Sequence, residues 1–224
     1  MSSPEAIKIA DFQIYPRRSR RARHILLRQN TKGQIILTYP WLCPKIVAVS
    51  FAKTQLAWIR AHVQYAPKET VFHIGDTVCL LGKNYTICAG TYGHIEGEKL
   101  FVSGNADFCH RRVCSLAQKM LLEYLQQKAQ FFSQQLNQSF KRITLRNTSS
   151  RWGSCSSRQT LSFCWKIAFA PSDVIDYLVA HEVAHLKEMN HGQKFWATVD
   201  LLVNHRKSAE KWLKTHGPVL QAIR

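Results

Sequence analysis

Acidic residues are scarce in this chain: 14 Asp and Glu stand against 31 Lys and Arg over 224 residues, for a formal charge of +17 and a pI near 9.9. Such a balance draws a protein towards polyanions, so DNA, or a protein substrate held on nucleic acid, is the partner class it favours. No nucleic-acid recognition motif accompanies the charge, and a solvated basic surface is the plainer reading. Paired cysteines are missing as well. Cys43, Cys79, Cys88, Cys109, Cys114, Cys155 and Cys164 are odd in number, scattered and without a CxxC, which excludes a disulfide framework and a cysteine zinc site and predicts free, mostly buried thiols. No apolar run approaches a membrane span, and the N-terminal MSSPEAIKIADF has neither the basic start nor the apolar stretch of a signal peptide. The expectation is a cytoplasmic protein with no membrane partner. Internal repeats and low-complexity linkers are also absent, while 46% hydrophobic content is enough for a true core.

What is present begins with alternation. Residues 6–15 read as a strand, followed by the densest basic run, Arg17 to His24, which leads directly into HILLRQ and so lies along a strand edge. Asn30–Gly33 reads as a hairpin turn before QIILTYP. Val49, Ala52, Leu56, Ile59 and Val63 predict one helix over 50–63, and residues 72–104 predict several small antiparallel strands. His73, His94 and His110 fall in loops with no ligand spacing and read as surface histidines. A long helix is predicted over 114–140, then two strands joined by a Gly and Ser turn, with LSFCWKI the clearer and RWGSC on its neighbour. Helices are predicted over 195–203 and 208–216, the last closed by Gly217 and Pro218. The whole is α+β, with a β-rich antiparallel N-terminal module over 1–112 and a second domain over 113–224.

The most informative stretch is PSDVIDYLVAHEVAHLKEMNHGQKFW, residues 171–196. Ser172 is a candidate N-cap, with Asp173 and Asp176 near the positive end of the helix dipole. On that helix His181 and His185 are about 6 Å apart along the axis and share one face, so both imidazoles can meet one ion. Glu182 projects beside them, where it can take a proton from water without ligating a metal. This is HExxH, and it needs a third ligand. His191 is the natural candidate, with Glu210 on a later helix as the alternative. HExxH to His191 has the spacing of the metzincin pattern HExxHxxGxxH, but Glu188 stands where that pattern has glycine, and no Met-turn follows. The turn out of the helix then falls to Asn190, which tolerates left-handed geometry, or to Gly192.

RWGSC at Arg151–Cys155 and HEVAHLKEMNHGQKFW at His181–Trp196, in that order, resemble the YgjP-like metallopeptidases, a zincin family related to the SprT-like and WLM groups. The likeness covers about Tyr15 to Trp212. It implies a zincin-like domain and a Zn2+-dependent peptidase acting on proteins or peptides, with His181, His185 and His191 as ligands and Glu182 as general base. The SprT-like group includes proteases that act on proteins attached to DNA, which would account for the charge. Arg151 and Tyr177 are the candidate donors to the developing oxyanion. Trp152 reads as a core anchor and Gly153 as a tight turn, or the pair as an edge for an extended peptide. The competing reading is a nucleic-acid-binding module braced by a structural zinc, and the Glu182 base argues against it.

Overall fold

The computed structural model describes residues 6–30, 33–64, 69–103 and 106–224. In the first of two units, Met1–Glu69, alternating apolar residues fold as two antiparallel hairpins. β1 (Ile7–Ile9) pairs with β2 (Phe12–Ser19), and β3 (Leu26–Gln29) with β4 (Ile35–Pro40). The second hairpin turns where expected: Gly33 N–H donates to the Asn30 carbonyl at 3.0 Å, while Thr31 and Lys32 lie outside the described residues. Between the hairpins, β2 and β4 pair in parallel, so the order is β1-β2-β4-β3. The arginine run thus continues an interior strand instead of an edge. Arg17 and Arg18 end β2, and all five arginines of the run are exposed. Ile14, Ile35, Leu37 and Tyr39 form a core with Ala48, Ala52 and Ile59. Those last three come from two helices, α1 (Lys45–Thr54) and α2 (Leu56–Gln64), where one was expected. The chain enters α1 directly after Pro44 and breaks at Gln55, whose φ and ψ of −100° and 23° leave the helical region.

The second unit, Thr70–Arg224, repeats the pattern. β5 (Thr77–Leu80) and β6 (Lys83–Gly90) form one hairpin, β7 (His94–Glu96) and β8 (Lys99–Ser103) another, and β6 pairs with β8 in parallel to give β5-β6-β8-β7. Val78, Leu80, Ile87, Leu100 and Val102 share one core with Val113, Leu121 and Leu125 of α3 (Ala106–Gln135). That shared core places these strands with the helix, so the division falls at Glu69/Thr70 and not at 112/113 as read from the sequence. His110 is no surface histidine. It is partly buried, accepts the Phe72 N–H at 3.1 Å and donates to the Arg224 carbonyl at 3.2 Å.

Three strands follow where two were expected. β9 (Arg142–Arg146) pairs in parallel with β11 (Thr160–Cys164), and β10 (Gly153–Cys155) lies antiparallel on the far edge of β11. Trp165–Phe169, expected to continue the strand, is a 3₁₀ helix with every residue buried, Lys166 included; its Nζ donates to the Gln221 carbonyl at 2.8 Å. Then come α4 (Ser172–Ala184), α5 (Gln193–Leu202) and α6 (Arg206–Gln221). α6 runs through Gly217 and Pro218 where a stop was expected. Gly217 serves close packing instead, because a Cβ there would stand 3.1 Å from Trp152 Cζ2. All seven cysteines are free thiols, as expected, but only three are buried where most were expected to be.

Candidate metal centre

α4 is surrounded by protein, with Val174, Ile175, Leu178, Val179 and Val183 all buried. Pro171 is its N-cap, and Ser172, the expected cap, is the first helical residue and makes no side-chain capping bond. The helix stacks His181 and His185 on successive turns, ring centroids 5.1 Å apart. It then ends at His185, and Leu186, Lys187 and Glu188 close back onto Val183 and Ala184 through right-handed turns. The expected left-handed residue is not used. Among the described residues, Asn190 has no positive φ and Gly192 has φ −81°. A short bond from Gly192 N–H to the Asn190 carbonyl, 2.7 Å, makes the bend that returns His191 to α4. Since no left-handed backbone is needed, Glu188 fits where the metzincin pattern has glycine.

His191 Nε2 lies 3.0 Å from His181 Nε2, and the ligand atoms of His181, His185 and His191 all fall within 4.8 Å of one another. Two nitrogens of a tetrahedral zinc site are about 3.3 Å apart, given zinc–nitrogen bonds of 2.0–2.1 Å. The imidazoles are suited to a cation chemically too. Burial first, then the charges of His185 and His191, lowers the His181 pKa to about 4, and burial lowers that of His185, so lone pairs stay free. His185 Nδ1–H donates to the Glu188 carbonyl at 3.0 Å, which leaves Nε2 for a metal. The three residues fit a divalent ion.

α5 presses this cluster together. Phe195, fully buried, puts its ring 4.5 Å from His185, 4.6 Å from His191 and 4.9 Å from His181, centroid to centroid. Trp196 covers His181 and His191 at 5.8 and 5.7 Å. Glu182 is 4% exposed, its Oε2 is buried without a hydrogen-bond partner, and burial raises its pKa to about 8 against a pull from Arg151. The RWGSC motif meets it there. A Cβ on Gly153 would stand 2.7 Å from both Cγ and Cδ of Glu182, so the strand can pass only as glycine. The sequence reading of a tight turn missed this contact, for which no spacing signal exists.

Residues 23–216 match the family described as YgjP-like, metallopeptidase domain. The chain belongs to that family. With helices and mixed sheets it is an α+β protein with a zincin-like metallopeptidase domain, and the family makes it a peptidase that depends on a metal ion. Among solved structures, the metallopeptidase zymogen of Pyrococcus abyssi abylysin is similar at 18% identity and a TM-score of 0.38, over 41% of this chain and 92% of that one. No curated protein sequence matches.

The remaining candidates of this YgjP-like metallopeptidase stand around the histidines in different ways. Tyr177, 5% exposed, turns its ring edge to His181 and donates its hydroxyl to Glu210 Oε1 at 3.1 Å. Burial, then the Glu210 charge, raises its pKa and keeps the proton on the phenol. Glu210 also pairs with Arg206 at 3.5 Å and is not among the residues that converge on the metal position. Arg151 is exposed and forms no ion pair among the described residues. Cys155, pushed up to about 11 by burial and the Glu182 charge, remains a thiol.

Proposed function

We propose that this metallopeptidase is a zinc enzyme of the HExxH type that cleaves peptide bonds with Glu182 as general base and His181, His185 and His191 as ligands. The observation that carries the reading is the convergence of three imidazoles beside a buried carboxylate whose Oε2 has no hydrogen-bond partner. Zinc held by such ligands supplies a Lewis acid that acidifies water and polarises the scissile carbonyl. Glu182 takes the proton of the attacking water and returns it to the leaving amine, and a carboxylate with a pKa raised towards neutrality suits both transfers. Arg151 keeps a guanidinium available for the negative oxygen that develops on the carbonyl. Tyr177, with its hydroxyl given to Glu210, serves more to hold His181 in place. The Trp152 carbonyl accepts from the Cys164 N–H and the Ser156 N–H donates to the Thr160 carbonyl, so the alternate residues Gly153 and Cys155 turn their backbone polar groups away from β11 and an extended peptide can pair along this edge. The charge of +17 favours substrates associated with nucleic acid, and the location proposed is the cytoplasm.

Paired measurements of zinc content and cleavage test this. Glu182→Gln is expected to keep about one zinc per chain and to lose about a hundred- to ten-thousandfold in rate on a denatured protein panel. His191→Ala is expected to lose zinc while Glu210→Ala keeps it. Equal cleavage by wild type and Glu182→Gln would sink the mechanism. Zinc without any cleavage by wild type would favour the second reading, a nucleic-acid-binding module braced by the metal.

A further inference from the structure

Between Glu123 and Asp173 the chain has no carboxylate side chain, while Lys141, Arg142, Arg146, Arg151 and Arg158 lie in or beside the β9–β11–β10 sheet. All five are exposed, and none enters an ion pair among the described residues. The two faces of this sheet differ. Ile143, Leu145, Leu161 and Phe163 turn inward to the core. The alternating positions, Arg142, Thr144 and Arg146 on β9, Ser162 on β11 and Ser154 opposite it on β10, form the other face. There the hydroxyls of Thr144 and Ser162 are 2.8 Å apart. Arg146, Thr148, Arg151, Ser154 and Ser162 help line a cavity of about 300 Å³.

Hydroxyl donors at the centre, guanidinium groups at the rim and no carboxylate among them suit phosphate oxygens, which accept from both donor types. One phosphate does not use the whole face. Arg142 and Arg146 are four residues apart on β9, about 13 Å along the strand, so the spacing asks for a ligand with several phosphates in a row. We infer that this outer face binds the phosphodiester backbone of a nucleic-acid strand, beside the edge strand that carries Gly153. The inference deepens the polyanion reading given above and moves the contact from Arg17–Arg23 to the unit that holds the histidines. It does not depend on the metal.

Fluorescence anisotropy of a labelled oligothymidylate with the full chain, over a salt series and with inorganic phosphate as competitor, tests it. The variant Arg142→Ser/Arg146→Ser/Arg158→Ser is expected to bind about tenfold more weakly and to lose about two units of salt slope, at about 0.7 per phosphate contact for a single strand. The same three residues changed to Lys should retain most of the affinity. Unchanged affinity and slope in the serine variant, with both lost when Arg17, Arg18, Arg20, Arg21 and Arg23 become Ser, would overturn the inference. So would an equal loss in the lysine variant, because charge would then not be the cause. Parent protein that binds phosphate but no oligonucleotide would overturn it too. Thermal melts check each fold, and Arg146→Glu replaces the serine variant if that melts early. Zinc content and cleavage are read separately, so failure of the peptidase reading remains distinguishable.

Discussion

Gly153 and Glu182 touch across a space that a single methyl group would fill. Gly153→Ala must therefore push the carboxylate aside or lift β10. The expected outcome is a loss of about 1–3 kcal/mol in urea melts, the usual cost of overpacking, and loss of cleavage with zinc retained. A variant with wild-type stability and activity would show that the strand yields without consequence. Residues of this kind mark the limit of what the sequence discloses. That His181, Glu182 and His185 lie together is legible because helical periodicity brings near neighbours together, and the expectation that His191 returns to them agrees with their convergence. The meeting of Gly153 with Glu182 is a product of tertiary packing and leaves no periodic trace. Phe195 touches all three imidazoles, a contact that only the fold reveals.

Helices α3 and α4 are joined through one carboxylate. Asp176 accepts from Tyr124 Oη and Lys128 Nζ, each at 2.6 Å. From sequence Asp176 is an acidic residue near a helix start, and its partners belong to a helix that ends well before it. Asp176→Ala should lower stability by about 1–2 kcal/mol, with the lysine contribution discounted for its exposure, and should leave zinc content intact. No change in the melt would mean that solvent replaces both bonds. Local pairings were the legible part of the fold at this scale: Asn30–Gly33 announces its hairpin through turn chemistry. The parallel pairs β2·β4, β6·β8 and β9·β11 were not, because no turn encodes a pairing between strands that do not follow one another directly. Trp165–Phe169 misled for a related reason: a short, fully buried apolar run does not distinguish a strand from a helical turn.

The two units have separate cores. Among the described residues, the larger cluster is built from Phe72 to Ile223 and the smaller from Ile9 to Ile59. A fragment of residues 70–224 is thus expected to melt in one transition and to take up about one zinc per chain, measured by calorimetry and elemental analysis. A fragment that stays unfolded with zinc supplied would show that the first unit is required. The α+β class and the metal motif were readable from periodicity and spacing, but the boundary was not, since strands 77–103 look alike whichever neighbour they pack on. Thr70 and Ile223 are joined in a bridge, with Thr70 N–H donating to the Ala222 carbonyl at 3.0 Å. On the ribosome this sets an order of events. The described core of the first unit is built from Ile9 to Ile59 and can form while synthesis continues, whereas the second cannot close until Ile223 has emerged. His181, His185 and His191 precede Ile223 in the chain, so all three are synthesised before the bridge that closes their unit can form.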